Sequence, residues 1–238
     1  MRFLLPLILL LSLAGCGQQT SAVPPEEPPP AVLPAPVPEP EPAPEPGEPE
    51  PAAVPAPAPE DFVLVTDYVP GIRVDLKYAG EDNFTGQVIY AFSEAYLRYG
   101  TVQKLAAAQE SLSPKGYSLL IWDAFRPAAA QFRLWEVCPN PVYVANPEKG
   151  FSSHSRGNTV DVTLVLADGS PVEMPTGFDD FSPLADRDYG DVPEPAAANA
   201  RLLEDVMADC GFRPYSGEWW HFSDADSYPV DEDFLSGK

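Results

Sequence analysis

The chain has 238 residues, 31 of them proline, and a formal net charge of −22 from 36 acids against 14 bases. A chain this acidic has no basic stripe to neutralise phosphates, so nucleic acid is excluded as a partner. The longest apolar run, at residues 3–13, falls short of the ~20 residues a spanning helix needs, which excludes a multi-pass membrane protein.

The first sixty residues divide into two parts. Met1-Arg2 gives a positive start and residues 3–13 an apolar segment, the layout of an export signal. Leu13-Ala14-Gly15-Cys16 follows at the right distance and resembles a bacterial lipobox. That resemblance implies that residues 1–16 are a lipoprotein signal ending at a lipidated Cys16. Acyl chains on both the thiol and the amine would supply the more than one anchor that stable membrane attachment requires. The expected location is then the cell envelope, outside the cytoplasm, on the periplasmic face of an outer membrane or the external face of the cell membrane. Residues 17–60 hold seventeen Pro and eight Glu, and no Lys, Arg, Phe, Tyr or Trp. Such chain cannot bury enough apolar surface to offset its entropy and reads as a disordered linker.

Residues 61–238 are long enough for one core and carry 28 acids against 13 bases. Residues 62–65 and 72–78 read as strands, the second by alternation. Ser93 predicts the N-cap of a helix to about Ser111, with Val102, Leu105, Ala106 and Leu112 on one face and Pro114 and Gly116 ending it. Residues 117–122 read as a buried strand, and Pro127 opens a helix to about Val137. Residues 159–166 alternate, with Val160, Val162 and Leu164 facing one way and Asp161, Thr163 and Val165 the other. A helix from about Pro195 to Cys210 ends at Gly211, and residues 212–215 and 218–222 read as a closing hairpin. Strands and helices mix without a βαβ rhythm, so the class is α+β. Cys138 and Cys210 lack C-x-x-C spacing; outside the cytoplasm a disulfide between them is open, as is a buried free thiol at Cys210.

The chain has two histidines, His154 and His221. The first lies in Ser152-Ser153-His154-Ser155-Arg156-Gly157-Asn158-Thr159-Val160-Asp161, the second in Glu218-Trp219-Trp220-His221-Phe222. Asp161 sits between two valines of a predicted strand, where an unpaired carboxylate is costly. A cation on its side of the sheet removes that cost. Two imidazoles and one carboxylate are a three-ligand set for catalytic zinc. Glu218 is then left as an acid/base beside the metal, as in the zincins but in another order. One geometric demand follows. Residues three apart on a regular strand face opposite ways, so Glu218 and His221 can share a site only where the strand is bulged or ends. Trp219 and Trp220 are candidates to hold such a distortion by packing.

The spacing S-x-H-x-x-G-x-x-x-D followed by E-x-x-H resembles the LAS metallopeptidases, the group of lysostaphin-type, D-Ala-D-Ala peptidase and Hedgehog folds. More closely, the chain is similar to the VanX-type D-alanyl-D-alanine dipeptidases. Val74-Asp75-Leu76-Lys77-Tyr78, Asp82-Asn83-Phe84-Thr85-Gly86, Trp122-Asp123-Ala124-Phe125-Arg126-Pro127 and Met174-Pro175-Thr176-Gly177-Phe178-Asp179 agree with that family in order and spacing. The resemblance implies a Hedgehog/DD-peptidase-like fold with a central, mainly antiparallel sheet and flanking helices. It implies one Zn2+ held by His154, Asp161 and His221, with Glu218 as catalytic base and Arg126 stabilising the oxyanion. It further implies that Asp179 receives the substrate ammonium and that Tyr78, Asp123 and Ser152 shape the pocket. Ala124 and Phe125 stand where Gly and Tyr are common, so any hydroxyl at Phe125 is missing.

The expected activity is hydrolysis of D-alanyl-D-alanine, or of related small peptides derived from peptidoglycan. Two alternatives compete with it. One is a D,D- or L,D-carboxypeptidase acting on stem peptides, from which a carboxylate for a free ammonium at Asp179 separates the dipeptidase. The other is a non-catalytic zinc-binding cell-wall module, which needs neither Glu218 nor Arg126. A Ser/His/Asp triad from Ser152, His154 and Asp161 is disfavoured by their closeness along the chain and the lack of a G-x-S-x-G elbow.

Overall fold

A computed structural model describes residues 55–141 and 143–235. The lipobox with Cys16, the residue 17–60 linker up to residue 54, and the last three residues lie outside it. Among the described residues no helix is long and apolar enough to cross a membrane.

Strand β1 (Phe62–Leu64) and the short helix α1 (Val65–Tyr68) lead into β2 (Arg73–Val74). Then come β3 (Tyr96–Arg98), α2 (Tyr99–Leu112), β4 (Tyr117–Asp123) and α3 (Ala128–Val137). Strand β5 (Thr159–Leu166), α4 (Glu194–Asp209), β6 (Phe212–Tyr215) and β7 (Glu218–Asp224) complete the domain. The main sheet has the order β2-β4-β5-β7-β6; only the β2–β4 pair is parallel. Strands β1 and β3 form a separate antiparallel pair. Helices α2 and α4 pack on each other, α2 against β4 and α4 against β5, β6 and β7. The α+β class and the mainly antiparallel sheet with flanking helices are therefore present.

The core follows from the apolar runs. Leu119 and Ile121 of β4 stand opposite Leu164 and Val162 of β5, and all four are buried. Leu203, Val206 and Met207 of α4 join them, as the helical spacing predicts. Gly211 follows α4 in the left-handed region (φ 91°) that a C′ residue takes.

Two expectations fail, one to local side-chain bonding and one to tertiary strand pairing. The strand over 72–78 is only two residues long, and a 3-10 turn at Lys77–Ala79 follows it. The Asn83 side chain donates to the carbonyls of Lys77, Gly80 and Gln87 and curls the chain there. Tyr78 is thereby turned into the interior. The helix expected from Ser93 instead begins at Tyr99, because Tyr96, Leu97 and Arg98 pair with Leu64, Val63 and Phe62. Cys138 and Cys210 are free thiols at the ends of α3 and α4.

Candidate active site

Two irregularities in the sheet build the site. Between Ile121 and Asp123 of β4 the register against β5 shifts, so Asp123 pairs with Asp161 rather than sharing the face of Ile121. On β7 the distortion is larger. Pro214 of β6 pairs with Phe222 and Tyr215 with Glu218, so one step on β6 matches four on β7. This bulge is what the E-x-x-H spacing demands. It leaves Glu218 Oε2 3.6 Å from His221 Nδ1. Trp219 and Trp220 are both fully buried instead of alternating. They meet edge to face, Trp219 donates to Thr176 Oγ1 (2.9 Å), and Trp122 and Phe178 pack against the pair.

His154 comes from a short 3-10 helix, Ser153–Arg156, between α3 and β5. The Ser152 hydroxyl accepts from His154 N at its start. Gly157 ends it at φ 73°, and a Cβ there would lie 2.2 Å from the Phe62 ring, so the glycine of the motif is required on both counts. His154 Nδ1 lies 2.9 Å from the Ala124 carbonyl, and the bond to that acceptor places the proton on Nδ1. Nε2 is left facing Asp161 Oδ2 at 3.4 Å. On the neighbouring strand, His221 pairs with Asp161 and its Nδ1 lies 3.0 Å from Asp161 Oδ1.

The donor atoms of His154, Asp161 and His221 all lie within 4.8 Å of one another. Asp161 Oδ1 is buried and, despite the nearby imidazole, makes no hydrogen bond. Atoms that face a common point rather than each other, one of them an orphaned carboxylate oxygen, are what a cation requires. The N, N, O donor set, with an imidazole nitrogen 3.0–3.4 Å from each Asp161 oxygen and all donors within 4.8 Å, fits zinc, whose ligand bonds are about 2.0–2.2 Å. Electrostatics agree. Burial would raise the Asp161 carboxyl, but the two imidazoles hold it well below the usual carboxylate range. Burial would lower His154, and the Asp161 and Asp123 carboxylates raise it instead.

The remaining groups surround a cavity of about 330 Å³, at the small end of ligand pockets. Tyr78, Arg126, Ser152, His154, Asp161, Asp179, Glu218 and His221 all line it: the three expected metal ligands, the two expected catalytic residues and three of the four expected substrate-pocket residues. Asp123 does not. It is fully buried behind Arg126, where its Oδ2 accepts from Arg126 Nε (3.1 Å) and Nη2 (2.6 Å). Its other oxygen accepts from Tyr90 and from the Ala124 amide. The expectation that Asp123 shapes the pocket is corrected on this point: it holds the arginine. Phe125 points elsewhere, into a cluster with Phe62 and Phe234, so its missing hydroxyl takes nothing from the support of Arg126.

Asp179 sits in the left-handed region (φ 55°), which Asp tolerates better than most residues, and its Oδ2 accepts from Tyr78 (2.7 Å). Burial pushes its carboxyl up to about 8 against that hydrogen bond. Burial and the Asp161 charge likewise raise Glu218. Sequence reasoning missed Gln131, Tyr90, Tyr143 and Phe181. The last two stack at 4.6 Å across the cavity rim.

A buried His/Asp/His group with a carboxylate beside it and a fixed arginine across a small cavity defines a metallopeptidase-type hydrolase. A family model described as D-ala-D-ala dipeptidase, Peptidase_M15, matches residues 59–237, and the chain belongs to that family of zinc metallopeptidases. A D-alanyl-D-alanine dipeptidase of Escherichia coli (strain K12) is 38% identical over 169 residues, spanning 70% of this chain and 87% of its own length. One of Streptomyces coelicolor is 38% identical over 183 residues, spanning 68% of this chain and 91% of its own. Among solved structures, the LD-carboxypeptidase LdcB is similar over 74% of this chain and 71% of its own, at 18% identity and a TM-score of 0.42.

Proposed function

We propose that the chain hydrolyses free D-alanyl-D-alanine to two molecules of D-alanine, with one zinc per domain held by His154, Asp161 and His221. The observation that carries this reading is the convergence of Glu218, Arg126 and Asp179 on the one small cavity that contains the His/Asp/His group. When bound there, zinc supplies a Lewis acid that polarises the scissile carbonyl and lowers the pKa of water toward ~7.

The chain's own residues do the rest. Glu218, next to the metal-ligating group and raised by burial, takes a proton from the attacking water and returns it to the leaving amine. Arg126 is permanently cationic and rigidly held, and it meets the negative charge that develops on the carbonyl oxygen. Tyr78 packs its ring 5.2 Å from the Arg126 guanidinium and orients Asp179 through its hydroxyl. Asp179 receives the ammonium of the dipeptide. A binding module would need neither Glu218 nor Arg126 in the cavity.

Hydrolysis of D-Ala-D-Ala and of N-acetyl-D-Ala-D-Ala, each with added zinc and with chelator, tests the reading. Zinc-dependent cleavage of the free dipeptide alone is expected. Equal cleavage of both compounds would favour the carboxypeptidase alternative, and cleavage of neither would leave a binding module.

The reading extends to location: a lipidated Cys16 holds the domain at a membrane surface of the cell envelope, and the Pro/Glu-rich stretch after it tethers the domain there, although the end of the expected 17–60 linker belongs to the fold, where the Pro59 and Glu60 carbonyls accept from the Gly100 amide and Arg98. Its support is the order of positive start, apolar segment, Leu-Ala-Gly-Cys and Pro/Glu-rich stretch. Cys16→Ser is expected to release the protein from the membrane fraction with full activity. A variant that stays firmly bound after signal removal would overturn the anchor.

A further inference from the structure

We infer that Gln131 is a positioning residue for Arg126, locking the guanidinium edge that Asp123 leaves free and tying it to the cavity wall. Gln131 lies on α3 and is completely buried. A buried amide is costly unless both its ends are satisfied. Here they are, by different partners. Its Oε1 accepts from Arg126 Nη1 at 3.0 Å, and its Nε2 donates to the Ala145 carbonyl at 2.7 Å. Arg126 has only donors and Ala145 O is only an acceptor, so the amide can sit one way round.

A guanidinium has five N–H bonds. Asp123 accepts from Nε and Nη2, and Gln131 from Nη1. One N–H on each of the two terminal nitrogens remains for substrate. Asp123 alone contacts a single edge, about which the plane can pivot. The Gln131 bond at the opposite end removes that freedom. Because Ala145 and its neighbours Tyr143 and Val144 also line the cavity, Gln131 keeps the arginine and this wall in one register. A transition-state contact depends on such alignment, since an ångström of misplacement can cost about 10²-fold.

The inference rests on the dipeptidase reading for its kinetic test but not for its spectroscopic one. Gln131→Leu, of nearly the same size, is expected to lower kcat for D-Ala-D-Ala by about tenfold or more. KM and zinc content should change little. In an Arg126→Lys background the same change should cost nothing further, because the group it positions is gone. Gln131→Glu keeps the acceptor toward Arg126 and should retain more kcat than Gln131→Leu. Unchanged kcat in zinc-loaded Gln131→Leu, or an equal loss in the Arg126→Lys background, would overturn the inference. Guanidinium NMR of the wild type and of the variants reads the lock without turnover, and Gln131→Asn serves where Gln131→Leu does not fold. Asp123 alone already slows rotation about Nε–Cζ, so the Gln131 lock reads as slow rotation in the wild type that speeds up in Gln131→Leu or Gln131→Asn; fast rotation in the wild type, or an unchanged rate in a folded variant, would reject it. Failure of the wild type to cleave D-Ala-D-Ala would instead sink the functional reading and leave the NMR result standing.

Discussion

Glu218→Gln is expected to keep zinc in the site and to lower turnover of D-Ala-D-Ala by about 10²–10⁴-fold, the usual loss when general acid–base help is removed. Glutamine preserves size and the distortion of β7 but cannot take up a proton. Glu218 Oε2 stands beside His221 rather than within the His154, Asp161 and His221 group, so metal binding should survive. His221→Ala is the contrasting control, since it deletes a donor and should lose metal together with activity. Measuring zinc per chain and kcat on both variants separates the two roles. Near-normal turnover in zinc-replete Glu218→Gln would remove it from the mechanism and reopen the binding-module reading.

How much of this was readable from sequence depends on whether the signal was local. Strands β4 and β5 and helix α4 follow from apolar periodicity, because burial of one face is written into those segments themselves. Elsewhere the local pattern misleads: β2 ends early because the Asn83 side chain curls the chain after it, and α2 starts late because Tyr96–Arg98 is strand beside Phe62–Leu64. The metal group was legible because the chain holds just two histidines and each sits in a spaced motif. The bulge at Glu218–His221 was required by the spacing, yet only the register against β6 gives it form. Gln131 was invisible for the opposite reason. One glutamine among the alanines of α3 looks like a solvent-facing residue, and only the turn at Pro127 aims it back at Arg126. Asp123 was visible as part of its motif, but its task was not, because facing the cavity and backing the arginine differ by tertiary placement alone.

Asp179→Asn should lower kcat/KM for D-Ala-D-Ala and narrow the gap to N-acetyl-D-Ala-D-Ala. The free dipeptide carries an ammonium one residue from the scissile bond, where an acylated substrate has an amide. A charge-assisted hydrogen bond from that ammonium contributes about 1.5–3 kcal/mol. An acylated substrate brings no ammonium to pair with Asp179, so it forgoes that attraction and, once Asp179 is ionised, meets a desolvated carboxylate held only by Tyr78; discrimination has an attractive and a repulsive part. Sites built on such pairing can reject the wrong substrate by about 10⁴-fold. Burial adds a pH signature. With the pocket empty, the Asp179 carboxyl is pushed up to about 8, so it is neutral below that pH. Binding an ammonium favours the charged form, and the carboxyl must first give up its proton. The Asp179-dependent part of kcat/KM should therefore rise with pH on an acidic limb at or below about 8, a nearby zinc ion pulling the limb lower. Asparagine cannot titrate, and its profile should lack that limb. Stability carries the same sign. A carboxyl raised in the folded state keeps its proton there while the unfolded chain gives its up, so this contribution to the stability of metal-free wild type should fall from about pH 4, where the unfolded carboxyl ionises, up to about 8, and change no further above it. Metal-free Asp179→Asn should lose less over the same range. If the wild type prefers the free dipeptide, yet Asp179→Asn changes neither the ratio nor the acidic limb, Asp179 does not read the ammonium and the preference must come from the small cavity alone.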